Sequence, residues 1–132
     1  MTAKEYLMQY RESMERTAEI ETHLHELKAE AIRLKDHEGQ SVKLDAAVAQ
    51  YVDACNAKES ELNRLAALRG EIEGTIDSVP DPKLRSLLHW RYVCGFSWEQ
   101  VAVKMNYSWR RVLQLHGTAL HIVAECMDNT TE

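Results

Sequence analysis

An all-α protein is what these 132 residues predict, with two long helices folded back on each other and three shorter ones after them. Three observations carry that expectation. Apolar residues recur at steps of three and four over most of the chain. Glycine and proline are scarce, at five and two. Residues that cap helix starts stand ahead of the periodic runs.

Composition narrows the class. The chain is 45% hydrophobic, too much for a disordered protein, and 28% charged, too much for a membrane protein. Its longest stretch free of Asp, Glu, Lys and Arg, Val112 to Ala124, falls short of the roughly 20 apolar residues that a spanning helix needs. The opening Met1-Thr2-Ala3-Lys4-Glu5-Tyr6-Leu7 is charged within its first helical turn and holds no apolar signal core. Cys55, Cys94 and Cys126 are scattered without a CxxC pair, which argues against a disulfide scaffold and against a zinc site. A cytoplasmic protein with no membrane partner, no metal and no cofactor is expected.

The first long helix starts at Thr2, whose hydroxyl and the Glu5 carboxylate fit a capping box. Leu7, Tyr10, Met14, Thr17, Ile20, Leu24, Leu27, Ala31 and Leu34 then mark its apolar stripe. The pattern stops at the polar stretch 36–41, which contains Gly39. In the second helix Leu44, Val48, Tyr51, Cys55, Lys58, Leu62, Leu65, Arg69, Ile72 and Ile76 alternate in steps of four and three, the seam of a coiled coil. The short connection makes the two helices antiparallel neighbours in a hairpin over residues 1–78. Such a hairpin has a thin core, so the chain is expected to associate with itself through Leu44, Val48, Tyr51, Cys55, Leu62, Leu65, Ile72 and Ile76, as a dimer or larger. Gly70 and Gly74, one turn apart, offer close approach to a neighbour. His23 and His25 point to different sides of their helix, which disfavours joint metal binding.

Charge divides the chain at Val79-Pro80-Asp81-Pro82. Residues 1–78 carry 10 basic and 16 acidic side chains, whereas residues 79–124 carry Lys83, Arg85, Arg91, Lys104, Arg110 and Arg111 against Asp81 and Glu99. Both prolines fall at this change of sign and must end a long helix there. Asp81 as cap and Pro82 at the first position open the next helix, with Leu84, Leu87, Leu88, Tyr92 and Val93 on its apolar face. Gly95-Phe96 breaks it. Ser97-Trp98-Glu99-Gln100 is a second capping box, opening a short helix with Val101, Ala102 and Met105 inward. Asn106-Tyr107 turns the chain, and Ser108 caps a last helix with Val112, Leu115, Ala119, Ile122 and Val123 inward. Residues 79–127 thus read as a helix-turn-helix, with 128–132 a flexible tail.

That unit presents Trp109, Arg110, Leu113 and Gln114 near the start of its second helix, where major-groove readers contact bases. Arg suits guanine, Gln suits adenine, and an apolar edge suits the thymine methyl. Lys104, Arg111 and Arg91 are expected at phosphates. His116 and His121 are read as helix residues and not as ligands, and Trp90, Phe96 and Trp98 as core.

The run Ser97-Trp98-Glu99-Gln100-Val101-Ala102 through Tyr107-Ser108-Trp109-Arg110-Arg111-Val112, then Gln114-Leu115-His116 and Ala119-Leu120, resembles region 4 of bacterial sigma factors, which reads the promoter −35 element. The likeness extends upstream over residues 87–95. With its opening and its hairpin, the whole chain is similar to phage and prophage transcriptional regulators of the ArpU/RinA type. The resemblance implies double-stranded DNA as partner, host RNA polymerase as a further one, and base reading by Trp109, Arg110 and Gln114. Gln114 agrees with the sigma pattern. Trp109 stands where Arg is usual and Arg110 where an acid is usual, and Leu113 and Thr118 replace residues often basic, so the −35 preference does not carry over.

Two other plans fit the same elements: a phage packaging protein similar to a terminase small subunit, and a coiled-coil adaptor that binds protein. An enzyme is not expected, because no P-loop, GxSxG, HExxH or paired metal spacing occurs.

Overall fold

The computed structural model describes residues 1–36, 39 and 41–130. They form five α-helices: α1 (Ala3–Lys35), α2 (Ser41–Asp77), α3 (Pro82–Leu88), α4 (Trp98–Met105) and α5 (Trp109–Thr130). Helix α3 runs directly into a single π-helical turn, His89–Val93. No helix among the described residues is long and apolar enough to cross a membrane.

Local chemistry places most boundaries where the caps predict them. The Thr2 and Glu5 side chains exchange hydrogen bonds with each other's backbone N–H at 3.1 Å. Asp81 accepts from the Lys83 N–H at 2.9 Å, with Pro82 at the first helical position. Of the polar connection 36–41, residues 37, 38 and 40 lie outside the described residues, and Gly39 takes a positive φ of 80° that suits a residue without Cβ. The expected flexible tail from residue 128 is not seen through residue 130. Helix α5 includes residues 128–130, because nothing after Gly117 breaks it, and residues 131–132 lie outside the description.

The chain divides into two compact units, and the division does not fall at residue 78. One unit is Ser13–Leu65; the other joins Met1–Glu12 to Ala66–Glu132.

Within Ser13–Leu65, α1 and α2 pack as an antiparallel pair, but the seam differs from the expected one. On α1, Ser13 is fully buried and Met14 is 43% exposed. On α2, Ala47 and Ala54 are buried and Glu61 is half-buried, whereas Val48 and Leu62 are 45% and 43% exposed. The seam therefore runs Leu44, Ala47, Tyr51, Ala54, Lys58, Glu61, Leu65, with Cys55 on its flank. Leu44, Tyr51, Lys58 and Leu65 hold their expected places, but at the alternate positions Ala47, Ala54 and Glu61 replace Val48, Cys55 and Leu62, because small alanines let the backbones approach and Glu61 is bonded by Ser13 and Arg16. The buried polar groups are matched. Ser13 Oγ donates to Glu61 Oε1 at 2.6 Å and Arg16 Nε to the same oxygen at 3.1 Å, and together they hold the Glu61 carboxyl below its usual pKa. Lys58 pairs with Glu21 at 3.3 Å. Arg69, the other polar residue of the expected seam, belongs to the second unit and bonds Glu73 along its own helix at 3.0 Å.

In the second unit the ends of the hairpin and the short helices share one core. Ala3, Leu7 and Tyr10 come from α1, and Ile72, Ile76 and Val79 from the end of α2 and the residues after it. Leu84, Leu87, Leu88, Tyr92, Val93, Val101, Val112, Ala119 and Val123 complete it. Tyr6 bonds Glu71 at 3.2 Å and Thr75 at 3.0 Å across the hairpin ends. Arg85 donates to the Val79 and Pro80 carbonyls at 2.8 and 3.2 Å, which satisfies acceptors in the bend after α2. A side chain added at Gly70 or Gly74 would meet nothing within 4 Å, so neither glycine serves a close approach within the chain.

This shared core is testable. Leu7→Ala should lower the stability of the second unit by about 3 kcal/mol, through lost burial and the cavity left behind. A fragment of residues 79–132, which lacks Leu7, Tyr10, Ile72 and Ile76, should show no cooperative thermal transition by circular dichroism. A sharp transition near that of the full chain would mean the short helices hold themselves together.

Candidate nucleic-acid interface

Three local devices set the α4–turn–α5 unit. Ser97 and Gln100 form a complete capping box at 2.9 and 3.2 Å, which fixes the start of α4. Asn106 ends that helix in the left-handed conformation, with φ 58° and ψ 40°, a state Asn tolerates better than most residues. Ser108 Oγ then accepts from the Arg111 N–H at 3.2 Å and caps α5. The turn between helices is thus three residues, 106–108, each in a role its side chain suits.

Helix α5 has two distinct faces. Val112, His116, Ala119 and Val123 recur at steps of four, three and four and are buried. Leu115 and Ile122, also expected inside, are half-buried beside them. Ala102 and Met105 of α4 are likewise half-buried, and Val101 is fully buried. On the opposite side, Trp109, Arg110, Leu113 and Gln114 are exposed, with Trp109 at 56% and Leu113 at 39%. Arg111 is exposed on the flank. The helix start therefore offers two guanidinium groups, one amide and two apolar side chains to solvent, together with free backbone N–H groups and the positive end of the helix dipole.

Lys104, exposed on α4, has an unexpected support. Trp90 and Phe96 stack in parallel at 5.2 Å, and the Lys104 ammonium lies 5.4 Å from one ring centre and 5.9 Å from the other. Both aromatics are half-buried, not core as expected, because one side of the pair faces this cation. Lys83, to which sequence reasoning assigns no role, lies 5.9 Å from the Tyr107 ring centre and shares a shallow groove with Trp90, Lys104 and Tyr107. Its only sequence signal is its sign, in a stretch where basic residues outnumber acidic ones.

Arg91 stands apart from the exposed group. Its half-buried guanidinium donates to the Phe96 carbonyl at 2.9 Å and lies 4.5 Å from the Trp98 ring centre. Burial first, and the charge of Arg11 second, lower its pKa. Arg91 thus braces the bend at Gly95, whose φ of 75° lets the chain reverse between the π-turn and α4.

A polar pair lies beneath this surface. The Tyr92 hydroxyl and His116 Nε2 are 2.6 Å apart, and Trp98 meets the imidazole edge-on at 4.3 Å. Burial holds His116 neutral, with its pKa lowered from 6.5 to about 4, and the positive charges of Lys4 and Arg91 act in the same direction. Burial also pushes Tyr92 up to about 12. Tyr92 and Val93 are both inward as expected, and the π-turn between His89 and Val93 is the register change that lets two consecutive residues reach the core.

Among the described residues no group of three His, Cys, Asp or Glu side chains is placed to hold a metal ion. No protein family, no curated protein and no solved structure matches the chain.

The buried histidine predicts a pH dependence. Its folded pKa lies below its unfolded one, so the unfolded chain takes up the proton first. Stability is then full above about pH 6.5 and falls as pH drops toward 4. The shift corresponds to at most about 3 kcal/mol, or about 2 kcal/mol allowing for the part of the ring that water screens. Urea titrations of the parent and of His116→Gln at pH 7 and pH 4.5 would measure it, with most of the difference absent from the variant. Equal acid sensitivity in both would remove His116 as the cause.

Proposed function

We propose that this chain is a DNA-binding transcriptional regulator of the phage and prophage type, which reads promoter DNA with α5 and acts as an oligomer. The observation that carries this reading is the outer face of the Ser108-capped helix, where Trp109, Arg110, Leu113 and Gln114 stand exposed with Arg111 on the flank. An exposed face of this composition at a helix start has the donors and apolar edges that the major groove matches. Arg110 and Gln114 read base edges, Trp109 and Leu113 meet thymine methyls, and Arg111, Lys104 and Lys83 meet phosphates. Arg91 positions α4 by bracing the bend before it.

A net charge of −5 does not oppose this, because the acidic side chains lie mostly in residues 1–78 and only the local basic surface meets the duplex. Each module has few phosphate contacts, so one copy binds weakly. Joining two makes the second binding event intramolecular and raises affinity without any new contact. Host RNA polymerase is the partner such a regulator acts on.

Duplexes selected from a random pool, titrated by fluorescence anisotropy at several salt concentrations, test the assignment. Arg110→Ala should weaken selected sites by about 1–3 kcal/mol and relax preference at one base pair. Lys104→Ala should weaken all sequences alike and reduce the salt slope by about one. Ser108→Ala should cost about 1 kcal/mol of stability whatever the function, which controls for folding. Parent-like binding by Arg110→Ala to every duplex would take the reading role from α5 and leave protein as the partner of this face.

A further inference from the structure

The hairpin unit Ser13–Leu65 has one face unlike the other. Counted by sevens along α2, Val48, Cys55 and Leu62 form a row directly beside the seam row of Leu44, Tyr51, Lys58 and Leu65. A groove that includes Ile32, Leu44, Val48 and Tyr51 shows that α1 borders this same side. Ile32, Val48, Val52 and Leu62 are 55%, 45%, 49% and 43% exposed on it. Of the charges that interrupt it, Glu21 and Lys58 bond to each other at 3.3 Å, while Lys28, Lys35 and Glu59 stand exposed along its length. The opposite side carries Glu19, Glu26, Gln50 and Asp53, all exposed.

We infer that a second copy of this chain covers the apolar face, so that two hairpins form an antiparallel four-helix bundle. Area is the first reason. From Met14 to Lys35 the face is about 32 Å long at 1.5 Å per residue, and two adjacent helices make it about 18 Å wide. Two such faces bury roughly 1,100 Å², above the ~1,000 Å² a specific interface needs. Register is the second. Val48 and Leu62 stand at equal distances on either side of Cys55, so a two-fold axis at Cys55 sets each Val48 on Leu62 of the second copy. Charge is the third. The Glu21–Lys58 pair puts Leu24 level with Cys55, and the same axis then brings Lys28 toward Glu21 of the second copy. The interface is closed and self-complementary, and its seam is the row that the monomer's own packing leaves outside.

This names the partner and the face for the self-association contained in the regulator reading, yet it requires no DNA, so the two fail separately. Sedimentation of the full chain at about 50 µM should give a dimer. V48E/L62E should raise the dimer dissociation constant at least about 100-fold, since four carboxylates enter an apolar interface. Its helical content and melting should stay near those of the parent, because both side chains are already substantially exposed in the single chain. Ala46→Glu, on the opposite side, should leave the dimer intact. In a C94S/C126S background, mild oxidation should join two copies through Cys55. A monomer at this concentration, a ring of many copies, a dimer indifferent to V48E/L62E, or a dimer in which Cys55 does not cross-link would each overturn the inference. The monomer result would leave the face to a different protein.

Discussion

Helices as short as α3 and α4, of seven and eight residues, bury too little apolar surface to order themselves in water. The second compact unit answers that constraint by enclosing Leu7, Tyr10, Ile72, Ile76 and Val79, which arrive on the ends of two much longer helices. They are buried in the same unit as Leu84, Leu87, Leu88 and Val101, and α3 and α4 both pack on α5, whose inward face rests on this core. The long helices therefore do more than pair with each other: about three turns at the start of α1 and at the end of α2 belong to the unit that holds α4 and α5.

Polar atoms inside that unit are placed with the same economy. Tyr92 and His116 satisfy each other at 2.6 Å, and no buried side-chain nitrogen or oxygen among the described residues lacks a partner. An unmatched polar group there would cost on the order of 1–3 kcal/mol, comparable to a fair share of a small domain's stability. Arg91 follows the same logic at the margin, where one guanidinium ties the Phe96 carbonyl and the Trp98 ring together. The module keeps Arg110 and Arg111 for solvent by assigning its bracing to a different arginine.

The hairpin unit carries the opposite balance. Its interior is thin, with alanines and a Ser–Glu–Arg cluster where larger residues were expected, and several of its larger side chains stand outside. A coiled-coil repeat defines which residues are apolar and how they are spaced, but two neighbouring rows can satisfy the same spacing. On α2 one row has Val48, Cys55 and Leu62, and the other has Ala47, Ala54 and Glu61. The choice between them depends on how closely α1 approaches, which is not a property of α2 alone.

Local chemistry is legible in the sequence itself. Thr2, Asp81, Ser97 and Ser108 each cap the helix they were expected to cap, because a cap is an interaction over two or three residues and its donors and acceptors are adjacent in the chain. The period of α5 was equally plain, and with it the outward set of Trp109, Arg110, Leu113 and Gln114. The unit boundary, the alternate positions of the hairpin seam, the π-turn at His89–Val93, the support of Lys104 by Trp90 and Phe96, and the bracing role of Arg91 were not. Each of these rests on groups far apart in sequence or on a local change of helical register, and burial is a competition among all the surfaces that can meet. A pattern of residues states which side chains seek the interior; only the packed chain determines which of them reach it.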